Sequence, residues 1–147
     1  MKKKLKINRS FWFHLTVILL FLAMAVWFFS PFIAGKLSFI WDTRQFGFTY
    51  LHMVAQSLAN FHFQLWNHSN FSGYPFAGDI ESMMFYPLFW PFAFIFQPFQ
   101  FGDLVYFVIL HYFIGSVFAY LLCYKLTKNI FASFMGAIVF FYSVYAL

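Results

Sequence analysis

Residues 11–33, FWFHLTVILLFLAMAVWFFSPFI, form a run of 23 residues without a single acidic, lysine or arginine side chain. As a helix such a run is about 34 Å long at about 1.5 Å per residue, enough to cross a hydrocarbon layer of about 30 Å. A second run, 104–124, follows Gly102-Asp103 and is closed by Lys125, and a third begins at Ile130 and is still apolar at Leu147. In lipid every backbone polar group must find its partner within the chain, which helices do, so the expected fold is an all-α, polytopic helical bundle with three transmembrane helices. Composition agrees: 63% of residues are apolar, 28% aromatic and 9% charged, too little polar surface to cover a water-soluble globule and too apolar for intrinsic disorder. Ala23-Met24-Ala25 has the small-x-small form of a cleavage site, but the apolar run continues past it, so residues 11–33 are read as a span.

The net charge of +5 is sorted by segment. Lys2, Lys3, Lys4, Lys6 and Arg9 precede the first run, and Lys125 and Lys128 lie in the break after the second. All the acids, Asp42, Asp79, Glu81 and Asp103, fall between residues 34 and 103, where Lys36 and Arg44 supply the basic side chains. The positive-inside rule then puts the N-terminus and residues 125–129 in the cytoplasm and residues 34–103 outside. Basic residues divided between two juxtamembrane sites form no continuous face for a nucleic acid, and none is expected as a partner. Cys123, alone within an apolar run, permits no intrachain disulfide.

The expected layout is a basic tail (1–10), a first span (11–33), an outer loop (34–103), a second span (104–124), a turn (125–129) and a third span (130–147). The third lacks an exit flank, so the chain reads as the N-terminal fragment of a longer protein. Within the loop, Phe48, Leu51, Ala55, Leu58, His62 and Leu65 recur at helical spacing, with Thr49, His52, Gln56, Asn60 and Gln64 mostly on another face. That pattern predicts an amphipathic helix over 47–65 lying in the membrane interface. Pro87, Pro91 and Pro98 argue against regular helix over residues 87–101, which reads as a re-entrant or interfacial segment. Asp103 is placed to cap the second span.

Two polar islands interrupt the apolar background, residues 41–45 and the motif region 66–87. Carboxylates at Asp42, Asp79 and Glu81 beside such apolar neighbours point to a metal, a cationic partner or proton chemistry. A solvated loop with an Asp42–Arg44 surface pair accounts for the same residues. His52, His62 and His68 share the loop, where interfacial hydrogen bonding is the expected role. Mid-span His111 is expected to bond a neighbouring helix. Trp41, Trp66, Tyr74, Tyr86 and Trp90 suit either an interfacial belt or stacking on a sugar.

The arrangement resembles the YfhO-type bacterial membrane proteins of the GT-C glycosyltransferase superfamily, whose front end carries a basic tail, a span, an Asp-x-x-Gln element, an amphipathic helix and a stretch of the form LWNP-x-x-x-GG-x-P-x-x-AD-x-Q-x-x-x-FYP. Asp42 and Gln45 match the first element. Leu65-Trp66-Asn67, Gly73, Pro75, Asp79 and Phe85-Tyr86-Pro87 follow in register with the second. His68 stands in place of Pro, Ser72 in place of the first Gly, and Glu81 in place of Gln. The resemblance implies a multi-pass enzyme of the bacterial plasma membrane that moves a sugar from a polyprenyl-phosphate carrier to a cell-envelope glycopolymer, such as a lipoteichoic polymer, on the outer face. It implies Asp42 and Asp79 as catalytic carboxylates. A divalent cation, Mg or Mn, would be held by Asp42, Asp79 and Glu81, and Arg44, Gln45, Trp66, Asn67 and Tyr86 would bind substrate. The competing expectation is a non-enzymatic membrane protein: a transporter or flippase fragment, or an accessory subunit.

Overall fold

The computed structural model describes residues 9–39 and 42–143. Within them the chain is all-helical, without strands beyond an isolated bridge between Asn67 and Tyr74. In chain order the α-helices are α1 (Arg9–Phe28), α2 (Ser30–Ile33), α3 (Phe48–Ala59), α4 (Phe89–Ile95), α5 (Phe101–Thr127) and α6 (Ile130–Phe141). A π-helical turn at Thr43–Gly47 leads into α3, and 3-10 turns occupy Phe76–Gly78 and Ile80–Ser82.

Two of these helices are long and apolar enough to cross a membrane, over Phe11–Phe28 and Phe101–Thr127, and only 17% and 33% of their respective residues are buried within the chain. The helix α6 is apolar but spans 12 residues among those described. The first run divides where Pro31 brings no N–H to donate to the Trp27 carbonyl four residues back. The Ser30 hydroxyl donates to that carbonyl instead, at 2.7 Å. At the start of α5, Asp103 lies one turn in rather than at the cap. Its Oδ2 accepts from the Gln100 N–H at 2.7 Å, one of the two bonds of a capping box, while its own N–H donates to the Gln100 backbone carbonyl.

The chain divides into two compact units. One holds α1, α5 from Val108 onward, and α6. Its core is Val17, Phe21, Tyr120 and Ala137, with Met24, Phe113 and Phe134 packed around them. Tyr120 is fully buried, and its hydroxyl meets His14 Nδ1 at 2.6 Å, so each polar group satisfies the other within an apolar helix packing. Between α5 and α6 backbone approach is close: a Cβ on Gly136 would stand 2.9 Å from Cys123 Sγ.

The other unit, residues 31–107, is built on α3. Tyr50, Leu51, Val54, Ala55 and Leu58 are buried, as are Phe89, Phe92 and Ala93 of α4. Phe89 packs edge-to-face on Phe99 and Phe107, with centroids at 5.4 and 5.1 Å. The helix expected over 47–65 ends six residues early. Phe61 takes a left-handed conformation (φ 50°), with Phe61 N–H donating to Leu58 O and His62 N–H to Ser57 O, which is a Schellman termination. The proline-rich segment is more regular than its composition suggests, because Pro91 falls in the first turn of α4, where its missing N–H has no helical partner to lose.

Polar and apolar groups are distributed unusually in this unit. Asn67, Ser57 and Ser82 are buried, while Phe61, Phe71 and Ile80, at chain reversals, are 88%, 82% and 93% exposed.

Candidate functional site

Asp42 immediately precedes the Thr43–Gly47 turn, is exposed, and makes no side-chain capping bond. The turn is π-helical, with Phe48 N–H reaching back to Thr43 O, and Thr49 Oγ1 donates to the Gln45 carbonyl at 2.7 Å. Arg44 lies with its guanidinium carbon 5.8 Å from the Phe101 ring centroid, a cation–π contact in place of the surface pair with Asp42. Gln45 is exposed on the same turn. Trp41 lies outside the described residues.

The motif region is a folded loop. Asn67 and Tyr74 exchange both backbone hydrogen bonds, at 2.9 and 3.0 Å. Asn67 Oδ1 accepts from Ser69 N–H at 2.8 Å, and the residue is wholly buried, so its side chain braces the loop rather than facing solvent. Gly73, at φ 102°, is required twice over. L-residues avoid that conformation, and a Cβ there would lie 2.7 Å from Trp66 Nε1. The Tyr74 hydroxyl is buried without a hydrogen-bond partner among the described residues, and burial pushes its pKa above the usual phenol range. Tyr50 and Asn67 are polar neighbours, and the Asp79 carboxylate raises the value further.

Asp79 and Glu81 share one turn. Asp79 Oδ1 accepts from Glu81 N–H at 2.9 Å, which stabilises the 3-10 turn and leaves the second carboxylate oxygen uncommitted to it. Met83 then takes φ 52°, and the Ser82 hydroxyl accepts from Met84 N–H. Tyr86 continues this path, donating its N–H to Met83 O and packing edge-on against Phe107. Trp90 donates its indole N–H to Met84 O at 2.9 Å. Asp42 stands on a different turn from this pair. Among the described residues no three His, Cys, Asp or Glu side chains gather into a group that could hold a metal ion.

A feature that the motif residues did not point to lies at the end of α3. A cleft of about 500 Å³ is lined by Gln56, Ser57, Asn60, His62, Phe63, Gln64, Leu65, Trp66 and His68. Ser57 shapes it: its hydroxyl donates to His62 O and accepts from Gln64 N–H, folding the chain back along the helix. The available signal was the recurrence of carboxamides at every fourth position, Gln56, Asn60 and Gln64. Of the substrate-binding residues expected from sequence, Trp66 alone lines it, half-exposed.

His52 is fully occupied, with Nδ1 2.7 Å from Phe99 O and Nε2 2.9 Å from Gln56 Nε2. His111 is half-buried in α5. No family model, curated protein or solved structure matches this chain.

Proposed function

We propose that this chain contributes the outer-face unit of an integral membrane glycosyltransferase, which moves a sugar from a polyprenyl-phosphate carrier to a cell-envelope acceptor. The observation that carries the reading is the setting of the acids. Asp42, Asp79 and Glu81 lie in a folded unit of residues 31–107, between two helices long enough to cross a membrane, and Asp103 lies in the first turn of the second helix. Three crossings are part of the proposal, with α6 the third and the sequence apolar on to Leu147. In this reading the membrane is a bacterial plasma membrane and the N-terminus is cytoplasmic, an orientation that the basic residues of 1–10 and 125–129 support.

Asp42, exposed and free of capping duty, takes the role of base for the acceptor hydroxyl. Asp79 is the second carboxylate, held in orientation by its bond from Glu81 N–H, and Glu81 supports it. Arg44, resting on Phe101, is close in sequence to Asp42 and suits the departing phosphate. Gln45 and Tyr86 contact substrate, and Asn67 positions the loop. A divalent cation, if used, would take oxygen ligands from Asp79 and Glu81, and no step is assigned to it.

The test is Asp42→Asn in the intact protein in its own membrane. Sugar transfer is expected to fall about 100-fold or more at normal protein level, the scale of a lost general base. Retained glycosylation removes Asp42 from the mechanism. A second reading, a non-enzymatic transporter fragment or accessory subunit, draws on the same apolar helices and folded unit. Purified protein inert toward lipid-linked sugar, with and without magnesium, selects that reading.

A further inference from the structure

We propose that the cleft at the end of α3 is a binding site for an uncharged saccharide, separate from the Asp79–Glu81 turn. Its volume, about 500 Å³, falls within the range of about 300–1,000 Å³ usual for small-molecule sites. None of its lining residues is Asp, Glu, Lys or Arg, and its only ionisable members are His62 and His68, so the lining holds no permanently charged partner for a charged ligand.

What the lining does offer is carboxamides and half-exposed aromatic rings. Phe99 O accepts only, so His52 Nδ1 carries the proton that bonds it and Nε2 accepts from Gln56 Nε2. This fixes the Gln56 amide and leaves its oxygen without a partner among the described residues. Asn60 Nδ2 donates to Gln56 O at 2.9 Å, which likewise leaves the Asn60 side-chain oxygen available. Gln64 spends neither end of its carboxamide on the protein among the described residues. Trp66 adds a half-exposed aromatic ring whose indole nitrogen lies against Gly73, and Phe63 is held in place by Phe85 and Trp90 at centroid distances of 6.5 and 6.0 Å. Fixed acceptors suit hydroxyls that donate, an amide free at both ends suits hydroxyls that do both, and aromatic faces suit the C–H face of a pyranose. A purely apolar ligand such as an acyl chain would leave these amides desolvated and unpaired.

The inference stands apart from sugar transfer: a protein that binds sugar here and transfers none would leave it intact, and loss of binding here would leave Asp42 untouched. The experiment is saturation-transfer NMR on the full chain in lipid nanodiscs, which avoids glycoside detergents. The probes are the methyl pyranosides of glucose, galactose, mannose and N-acetylglucosamine. Saturation transfer to at least one is expected, with affinity falling about tenfold in Gln64→Ala, which loses a carboxamide, and in Trp66→Ala, which loses an aromatic face. Should Gln64→Ala fail to fold, Gln64→Asn, which keeps the amide and shortens its reach, is expected to weaken binding as well. No transfer to any of the four, or transfer unchanged in the variants, overturns the proposal, as does displacement of the sugar by inorganic phosphate.

Discussion

His52 Nδ1 lies 2.7 Å from the carbonyl oxygen of Phe99, 47 positions further along the chain. This bond joins the middle of α3 to the residues that precede α5 and sets the tautomer that orients Gln56. His52→Ala strands the Phe99 carbonyl and frees the Gln56 amide. A loss of about 1–3 kcal/mol is expected, read as a lowered Tm in scanning fluorimetry. His52→Ala with an unchanged Tm would mean that the bond holds nothing together.

Tyr74 presents the opposite case, a buried hydroxyl that makes no hydrogen bond among the described residues. Tyr74→Phe is expected to stabilise by about 1 kcal/mol near neutral pH, because it removes an unpaired polar group. Burial raises the folded pKa, so unfolding releases a phenol that ionises more readily. Stability from this group is intact below about pH 10, the unfolded value, and declines as pH rises beyond it. The variant should lose less stability than the parent between about pH 8 and pH 11, compared by Tm. Equal losses would contradict the assignment.

Gly73→Ala combines an unfavourable φ with a collision against the Trp66 indole. A cost of about 3 kcal/mol is expected, with a change in tryptophan emission as the ring is displaced. Wild-type emission and Tm together would show that the loop accommodates a side chain there.

Gly136 and Cys123 form a testable pair, since a Cβ at the first would crowd the sulfur of the second. Gly136→Ala should cost about 1–3 kcal/mol, and adding Cys123→Ala should recover most of it. Additive losses in the double variant would place the strain elsewhere.

Much of the helical framework was legible because period and burial agree along it. Leu51, Ala55 and Leu58 recur at helical spacing and all are buried. The end of α3 was not legible, since the left-handed residue that terminates it is Phe61, where a glycine would have announced itself. Proline misled in the other direction, because a composition count is blind to Pro91 falling in a helix's first turn. Ser30 and Trp27 repair the break at Pro31 through a hydroxyl that sequence alone marks only as polar. The carboxamides Gln56, Asn60 and Gln64 stood out as a polar face, yet that they line a cleft depends on Ser57 turning the chain back beside them. Asp79 and Glu81 were adjacent in sequence and remain so in space, whereas the separation of Asp42 from them is tertiary, and no local pattern encodes it.

With Phe61, Phe71 and Ile80 turned outward while Asn67, Ser57 and Ser82 are buried among the apolar core residues, this unit carries hydrocarbon on its outside. Dissolving such a surface in water would expose hydrocarbon at the very points where a soluble protein displays its hydrophilic turns. Purified protein will therefore need an amphiphile that covers Phe61, Phe71 and Ile80 as well as the apolar helices.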